Sequence, residues 1–258
     1  MKMPLNTLKE KLLSGENQYG CWLSLGNGAV AETCAWAGFD WLLIDTEHAP
    51  TELSEVHQLL QAIHGNSSQA IVRAYWNDTV FIKRLLDLGV QSLLIPYVES
   101  ADEAKKAVAA VRYPPRGVRG VSGNSRANRY GRVENYFSRA EDQICLMVQV
   151  ESVSALKKIR EIGAVEGVDV IFIGPADLAA DMGHLGNPRH PIVKKAMRKA
   201  IEDIRQTGKI AATLAFAPDD AREWSQQGAQ LIAVASDMFL ITRSANDLAS
   251  TFCNKRGK

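Results

Sequence analysis

The chain has 258 residues, 46% of them hydrophobic and 23% charged, which is the composition of an ordinary globular protein and not of a disordered or fibrous one. Thirty Lys and Arg stand against 29 Asp and Glu, a formal net charge of +1, so no polyelectrolyte term drives binding to nucleic acid or to anionic lipid. No window approaches the roughly 18 consecutive apolar residues of a membrane span.

The N-terminal stretch MKMPLNTLKEKLLSG carries charges through its middle and reads as a short amphipathic helix, not a signal peptide. Cysteines at 21, 34, 145 and 253 show neither CxxC nor metal-ligand spacing, so reduced, buried thiols in a cytoplasmic protein are expected. Beyond this, short runs rich in Val, Ile, Leu and Trp alternate with longer helical patterns. The spacing predicts strand Cys21–Ser24, helix Ala29–Ala37, strand Trp41–Asp45, helix Leu53–His64, strand Ala70–Ala74, helix Thr79–Leu88 and strand Ser92–Pro96. Helix Ala101–Val111, strand Ile144–Val150, helix Val153–Glu161, strand Val170–Ile173 and helix Pro191–Thr207 follow. Strand Ile210–Leu214, helix Asp219–Gln227, strand Leu231–Ala235 and a last helix at about Phe239–Phe252 complete the chain. The recurring segments AGFDWLLID, LGVQSLLIP, EGVDVIFIG and QGAQLIAVA each put Gly at a helix end before a buried strand, one βα unit used repeatedly.

Strands that are apolar throughout need cover on both faces, as in a parallel sheet with helices outside. Eight such units over this length fit a closed (β/α)8 TIM barrel better than an open doubly wound sheet. No GxGxxG or GxxxxGK[ST] follows any strand, which removes the usual reason for the open sheet. Without a linker or composition break, residues 1–258 read as a single domain. The longest connection, Tyr97 to Gln143, holds RYPPRGVRGVSGNSRANRYGRVENYF, and loops of this length usually serve function or cover an interface.

In such a barrel the site forms at the C-terminal ends of the strands. The apolar runs end in Asp45-Thr46-Glu47-His48, in Arg73, in Gln149-Val150-Glu151 and in Gly174-Pro175-Ala176-Asp177. Each alone has a structural account, such as a helix cap or a local ion pair, but four strands of one barrel ending this way converge on one pocket. Glu151 and Asp177, with Gln149 beside them, offer a hard oxygen site suited to Mg²⁺ or Mn²⁺. A zinc centre rich in nitrogen or sulfur is disfavoured, because only His48 of the five histidines follows a strand directly. Schiff-base chemistry is disfavoured too, because Lys209 borders a strand at its N-terminal end. A divalent cation, a fixed Arg and a His that titrates near neutrality are parts for holding an enolate and moving a proton next to a carbonyl.

GFDWLLIDTEHAP, IVRAYWNDTVFIKRLLDLG, RYPPRGVRGVS, VQVES and EGVDVIFIGPADLAADMGHLGNPRHP resemble the HpcH/HpaI aldolases, metal-dependent class II pyruvate aldolases that cleave 4-hydroxy-2-oxo acids. The likeness runs from about Leu5 to Phe252, and SGNSRANRYG looks most like the 2-dehydro-3-deoxyglucarate (5-keto-4-deoxyglucarate) members, with the 4-hydroxy-2-oxoheptanedioate and 2-keto-3-deoxyrhamnonate aldolases close by. The resemblance implies that Glu151 and Asp177 bind Mg²⁺, Mn²⁺ or Co²⁺, and that Gln149, Ala176 and the Asp177 backbone hold the pyruvyl part, with Gly174 and Pro175 in the same ring of small residues. It implies His48 as base, Arg73 as stabiliser of the enolate, Asp87 as the group that raises the basicity of His48, Asp45 as its orienting partner, and Trp22 as a pocket wall. Arg126 in the long loop is expected to read a distal carboxylate. The resemblance implies a barrel of the phosphoenolpyruvate/pyruvate type whose last helix packs on a neighbouring subunit in a hexamer of three dimers. Many members carry Gly where this chain has Thr46. Products would be pyruvate and an aldehyde. A metal-dependent acyl-CoA lyase of the citramalyl-CoA type and a noncatalytic oxo-acid binding protein are the competing expectations.

Overall fold

The computed structural model describes residues 1–253. Among them, β1 (Gln18–Leu23), β2 (Trp41–Asp45), β3 (Gln69–Arg73), β4 (Ser92–Ile95), β5 (Cys145–Val150), β6 (Val170–Ile173), β7 (Ile210–Leu214) and β8 (Ala229–Ser236) run parallel. They close in chain order into a barrel, β8 pairing with β1. Helix α1 (Thr7–Leu13) precedes the barrel, and α2 (Gly28–Trp36), α3 (Leu53–Ile63), α4 (Thr79–Asp87) and α5 (Ala101–Val111) follow the first four strands. The long connection carries α6 (Tyr136–Arg139). Helices α7 (Val153–Lys157) and α8 (Ile159–Gly163) follow β5, α9 (Pro175–Asp181) and α10 (Pro191–Gln206) follow β6, α11 (Pro218–Gln227) follows β7, and α12 (Asp237–Phe252) ends the described chain. No helix among the described residues is long and apolar enough to cross a membrane.

Two apolar layers hold the barrel. Outward-facing strand residues such as Leu42, Ile44, Val72, Leu93, Val148 and Ile171 pack under the helices, and inward-facing Trp41, Leu43, Ile71, Leu94, Met147 and Phe172 fill the interior. The alternation within each strand is that of a pleated strand buried on both faces. Gly20 is required by this filling, because a Cβ there would lie 2.1 Å from the Trp41 ring across the β1–β2 pairing. Helix α1 plugs the N-terminal mouth with Leu8 and Leu12, which join the interior cluster. Lys9 on the same helix pairs with Asp169 at 3.1 Å. Of the cysteines expected to be buried, Cys21, Cys34 and Cys145 are, whereas Cys253 is exposed near the end of the last helix.

Three departures from the sequence expectations have local causes. Strand β1 starts at Gln18, ahead of the expected Cys21, because pairing with both β2 and β8 draws the polar Gln-Tyr-Gly segment into the barrel. The expected helix Val153–Glu161 is two short helices that break at Lys158 (φ −105°, ψ 9°), whose Nζ is drawn aside to donate to Glu99 O at 3.2 Å. Helix α9 is too short for its seven residues to show a helical period in sequence. The long connection folds against the N-terminal half of the molecule: Tyr136, Val133, Ala127, Ala140 and Met3 form a small cluster, and Ala127 N donates to Asp87 O at 3.1 Å.

Leu8 is fully buried. Leu8→Ala should cost about 2–5 kcal/mol, the range for a core leucine whose cavity collapses only partly. A drop in urea midpoint with an unchanged slope checks it; a midpoint equal to wild type would mean that α1 is not a structural plug.

Candidate active site

The polar residues that end the strands meet at the C-terminal mouth, opposite α1. Asp45 and Arg73 are register partners on β2 and β3, which sets their side chains side by side. Arg73 Nε donates to Asp45 Oδ1 at 2.8 Å and Nη2 donates to Oδ2 at 2.7 Å, a buried bidentate pair. Arg73 Nη1 lies 2.8 Å from Glu47 Oε2, and the guanidinium carbon stands 4.9 Å from the Trp22 ring centroid, a cation–π contact from β1. Burial alone would raise the Asp45 carboxyl, but the hydrogen bonds and charge of Arg73 outweigh it and hold the group below the ordinary carboxylate range. Asp45 Oδ1 also accepts from Glu47 N at 3.0 Å and His48 N at 3.5 Å, so the acid that fixes Arg73 also shapes the turn presenting His48. Thr46 stitches this turn to β3, since its hydroxyl donates to Arg73 O at 2.6 Å and its N–H donates to the same oxygen at 3.2 Å. A Gly at this position would lack the first of these bonds.

Across the mouth, Glu151 is buried with both oxygens engaged: Oε1 accepts from Tyr97 N at 3.0 Å and Oε2 from Gln149 Nε2 at 2.5 Å. Gly174 makes room for it, because a Cβ there would lie 2.4 Å from Glu151 Oε2. Burial first, then the charge of Asp177, pushes the Glu151 carboxyl up to about 7, with Glu47 adding to the rise and the Gln149 bond opposing it. Glu47 is itself raised, by burial most of all, against the pull of Arg73. Gln149 Oε1 is buried with no hydrogen-bond partner. This side of the mouth therefore holds crowded carboxylates and an unused amide oxygen, a hard donor set that a divalent cation would satisfy. Among the described residues no three His, Cys, Asp or Glu side chains converge to ligate one ion, so Glu151 and Asp177 would leave further positions to water and substrate oxygens.

His48 projects into the open mouth, its side chain 66% exposed and Nε2 3.8 Å from Glu47 Oε2. Ala176 and Asp177 are exposed at the start of α9, with Pro175 buried behind them, and Trp22 packs edge-on to Phe172 at 5.8 Å. Two expected site residues are not brought to this mouth. In a parallel barrel a helix carries the chain back to the strand N-termini, so Asp87, the last residue of α4, stands at the opposite end from His48 within one chain. There it lies 3.7 Å from Arg119, its Oδ1 buried without a hydrogen bond, its carboxyl raised by burial that Arg119 only partly offsets. Arg126 is likewise at that end, its Nη1 donating to Leu88 O at 2.7 Å. Arg126, expected to read a distal carboxylate, does not reach the mouth of its own chain, because the loop folds back over the α4 terminus instead. Lys209 lies beside Leu12 at the plugged end.

The sequence reading passed over Tyr97 and Asp237. Asp237 closes the β8 run just as Asp45 closes β2, and its carboxylate accepts from Ser24 N at 3.0 Å and Leu25 N at 3.0 Å, shaping the loop after Trp22. Its signal, an acid directly after an apolar run, was present. Nothing in sequence marks Tyr97, whose role is carried by its backbone.

Residues 18–244 match the family model described as HpcH/HpaI aldolase/citrate lyase. The chain is 49% identical over 250 residues to the 4-hydroxy-2-oxo-heptane-1,7-dioate aldolase of Shigella flexneri, an alignment covering 96% of this chain and 94% of that one. Among solved structures, it superposes with a TM-score of 0.91 on an HpcH/HpaI aldolase/citrate lyase family protein from Burkholderia cenocepacia J2315, at 39% identity and with 95% and 98% of the two chains covered. An HpcH/HpaI aldolase from Desulfitobacterium hafniense DCB-2 gives 0.87 at 31% identity, over 95% and 96%.

Asp45→Asn strips a buried guanidinium of its main counter-charge and should cost roughly 3 kcal/mol at pH 7. The Asp45 carboxyl ionises more readily folded than unfolded, so its stabilisation is present above the unfolded value, about 4, and is lost as pH falls through the lower folded value. Urea titrations across pH should show the gap between wild type and variant closing in acid. A gap that stays constant would remove the ion pair as its cause.

Proposed function

Because the chain belongs to the HpcH/HpaI aldolase/citrate lyase family, we propose that its barrel mouth works as a class II aldolase site. The reaction is reversible retro-aldol cleavage of a 4-hydroxy-2-oxo acid to pyruvate and an aldehyde. The observation that carries it is the pairing, at one mouth, of a rigidly held Arg73 with the carboxylate-crowded Glu151 side. The relatives' aldolase names favour this over an acyl-CoA lyase or a noncatalytic binder. They also favour 4-hydroxy-2-oxoheptanedioate as substrate, with 2-keto-3-deoxy sugar acids of similar length as the second class.

Glu151 and Asp177 would hold the cation, Mg²⁺, Mn²⁺ or Co²⁺, which when bound polarises the 2-oxo group and offsets developing negative charge. Gln149, through its free Oε1 side and amide, and the backbone of Ala176 and Asp177 position the pyruvyl end, while Gly174 and Pro175 keep the wall thin. His48 takes the proton of the C4 hydroxyl. The C3–C4 bond breaks, its electron pair passes to the 2-oxo group as an enolate, and the aldehyde leaves. Arg73, already fixed by Asp45, presents its charge to that enolate without reorganising. A proton returned to C3 gives pyruvate. Trp22 forms the apolar wall beside Arg73.

The assigned influence of Asp87 on His48 then has to come from a second copy of the chain, since one chain holds them at opposite ends. Helix α12 supports an assembly: from residue 240 to 252 it is exposed throughout, and Ile241, Leu248 and Phe252 form a bare apolar stripe. A hexamer of three dimers is the assembly we assign, with residues 1–258 as one catalytic domain.

Pyruvate release from 4-hydroxy-2-oxoheptanedioate should stop with chelator and return with Mn²⁺ or Mg²⁺, and borohydride should trap no pyruvate on the protein. Glu151→Ala should lose metal affinity while remaining folded. Full activity in excess chelator, or a reduced covalent adduct, would refute the class II reading. His48→Ala should lose roughly 10²–10⁴ in kcat. Co-expressing His48→Ala with Asp87→Asn should regain activity through about one site in four that draws each intact residue from a different subunit. Mixed assemblies no more active than either parent would remove Asp87 from the neighbouring site.

A further inference from the structure

Tyr97 is a non-glycine residue in the left-handed region, with φ 54°. There its Cβ crowds the following carbonyl, and such a conformation persists only where the surroundings impose it. Its effect is local and specific. The turn aims Tyr97 N–H at Glu151 Oε1, 3.0 Å away, and the chain then resumes its pairing to β5 with Val98 N donating to Gln149 O at 2.9 Å. With Gln149 Nε2 on the other oxygen, the carboxylate is gripped from two elements. Neither grip comes from a residue that would bind the cation through its own charge.

The rings themselves lie at the surface, Tyr97 46% exposed and Trp76 51% exposed, while the flanking Pro96 and Val98 are buried. The two rings stack on each other, centroids 6.1 Å apart and planes 23° from parallel. Trp76 stands three residues after Arg73, on the loop leaving β3, so the stack ties the loop behind the arginine to the backbone that orients Glu151. On the far side, Ser152 Oγ donates to Glu99 at 2.7 Å and Lys158 Nζ donates to Glu99 O at 3.2 Å, pinning the segment after Tyr97. Freed of its stacking partner, Tyr97 keeps the hydrogen bonds and the burial of its chain neighbours but loses the one contact its own side chain makes to the β3 loop.

We propose that the Trp76–Tyr97 stack positions the Glu151 carboxylate for its cation, Tyr97 acting through its backbone N–H and Trp76 through the ring. This rests on the reading of Glu151 as a metal ligand. Titrating the metal-free protein with Mn²⁺, and following free Mn²⁺ by its electron paramagnetic resonance signal, tests it without turnover. Tyr97→Ala and Trp76→Ala should each bind Mn²⁺ about 10–100-fold more weakly, the loss typical when the group orienting a ligand is removed. Tyr97→Phe keeps the stack and should match wild type. Thermal unfolding of the metal-free variants shows that each is folded at the titration temperature. Unchanged Mn²⁺ binding in both alanine variants overturns the proposal, as does a raised KM for the aldehyde with Mn²⁺ affinity intact, which would make the stack a substrate wall. Glu151→Ala separates the two levels: wild-type Mn²⁺ binding there refutes the ligand assignment itself, whereas its loss there beside normal binding in Tyr97→Ala refutes only the positioning role.

Discussion

The bidentate pair between Asp45 and Arg73 is the constraint on which the mouth of the barrel depends. A buried ion pair stabilises a fold only when geometry is good and the remaining polar atoms are also satisfied. Here strand register supplies the geometry, and the other partners come from nearby: Glu47 on a third guanidinium nitrogen, Trp22 over its face, and the amides of Glu47 and His48 on Asp45 Oδ1. The arginine is therefore fixed before any substrate arrives. The same carboxylate that fixes it bends the chain so that His48 leaves the strand and faces the open mouth. One interaction thus sets both the fixed charge of Arg73 and the placement of His48.

The two halves of the mouth are electrostatic opposites. Around Asp45 and Arg73 charge is matched, and the carboxyl is held below its ordinary range. Around Glu151 it is not: burial and Asp177 push the carboxyl up, and Gln149 keeps an oxygen without a partner. A site in this state has a deficit of positive charge beside Glu151 and Gln149. Perturbed groups gather where chemistry is done, and here the perturbation has a specific cause in the crowding of acids at adjacent strand ends.

The plugged end of the barrel carries features that one chain leaves unfinished. Asp87 Oδ1 has no hydrogen bond, Arg119 Nε and Nη1 have none, and the long connection closes over them with Tyr113 and Tyr136. At the other extreme of the chain, α12 leaves the barrel after the Asp237 clamp and buries none of its later residues. Unsatisfied buried polar groups and a bare apolar helix are both costly in an isolated subunit.

Much of this was legible in the sequence because it is periodic or local. Apolar runs of strand length separated by helical patterns decide a parallel barrel, since such strands need cover on both faces. The polar residues closing those runs had to point toward the same mouth, so Asp45, His48, Arg73, Gln149, Glu151 and Asp177 could be chosen from position alone. The register that joins Asp45 to Arg73 is seen only in the β2–β3 pairing. What the tertiary structure alone decided is non-local or carried by backbone. Where the long connection lies, and hence that Arg126 faces the plugged end, depends on packing among Met3, Val133 and Tyr136, residues distant in sequence. And the grip on Glu151 comes from the N–H of Tyr97, a group every residue but proline possesses, which becomes specific only when the fold turns it toward a carboxylate.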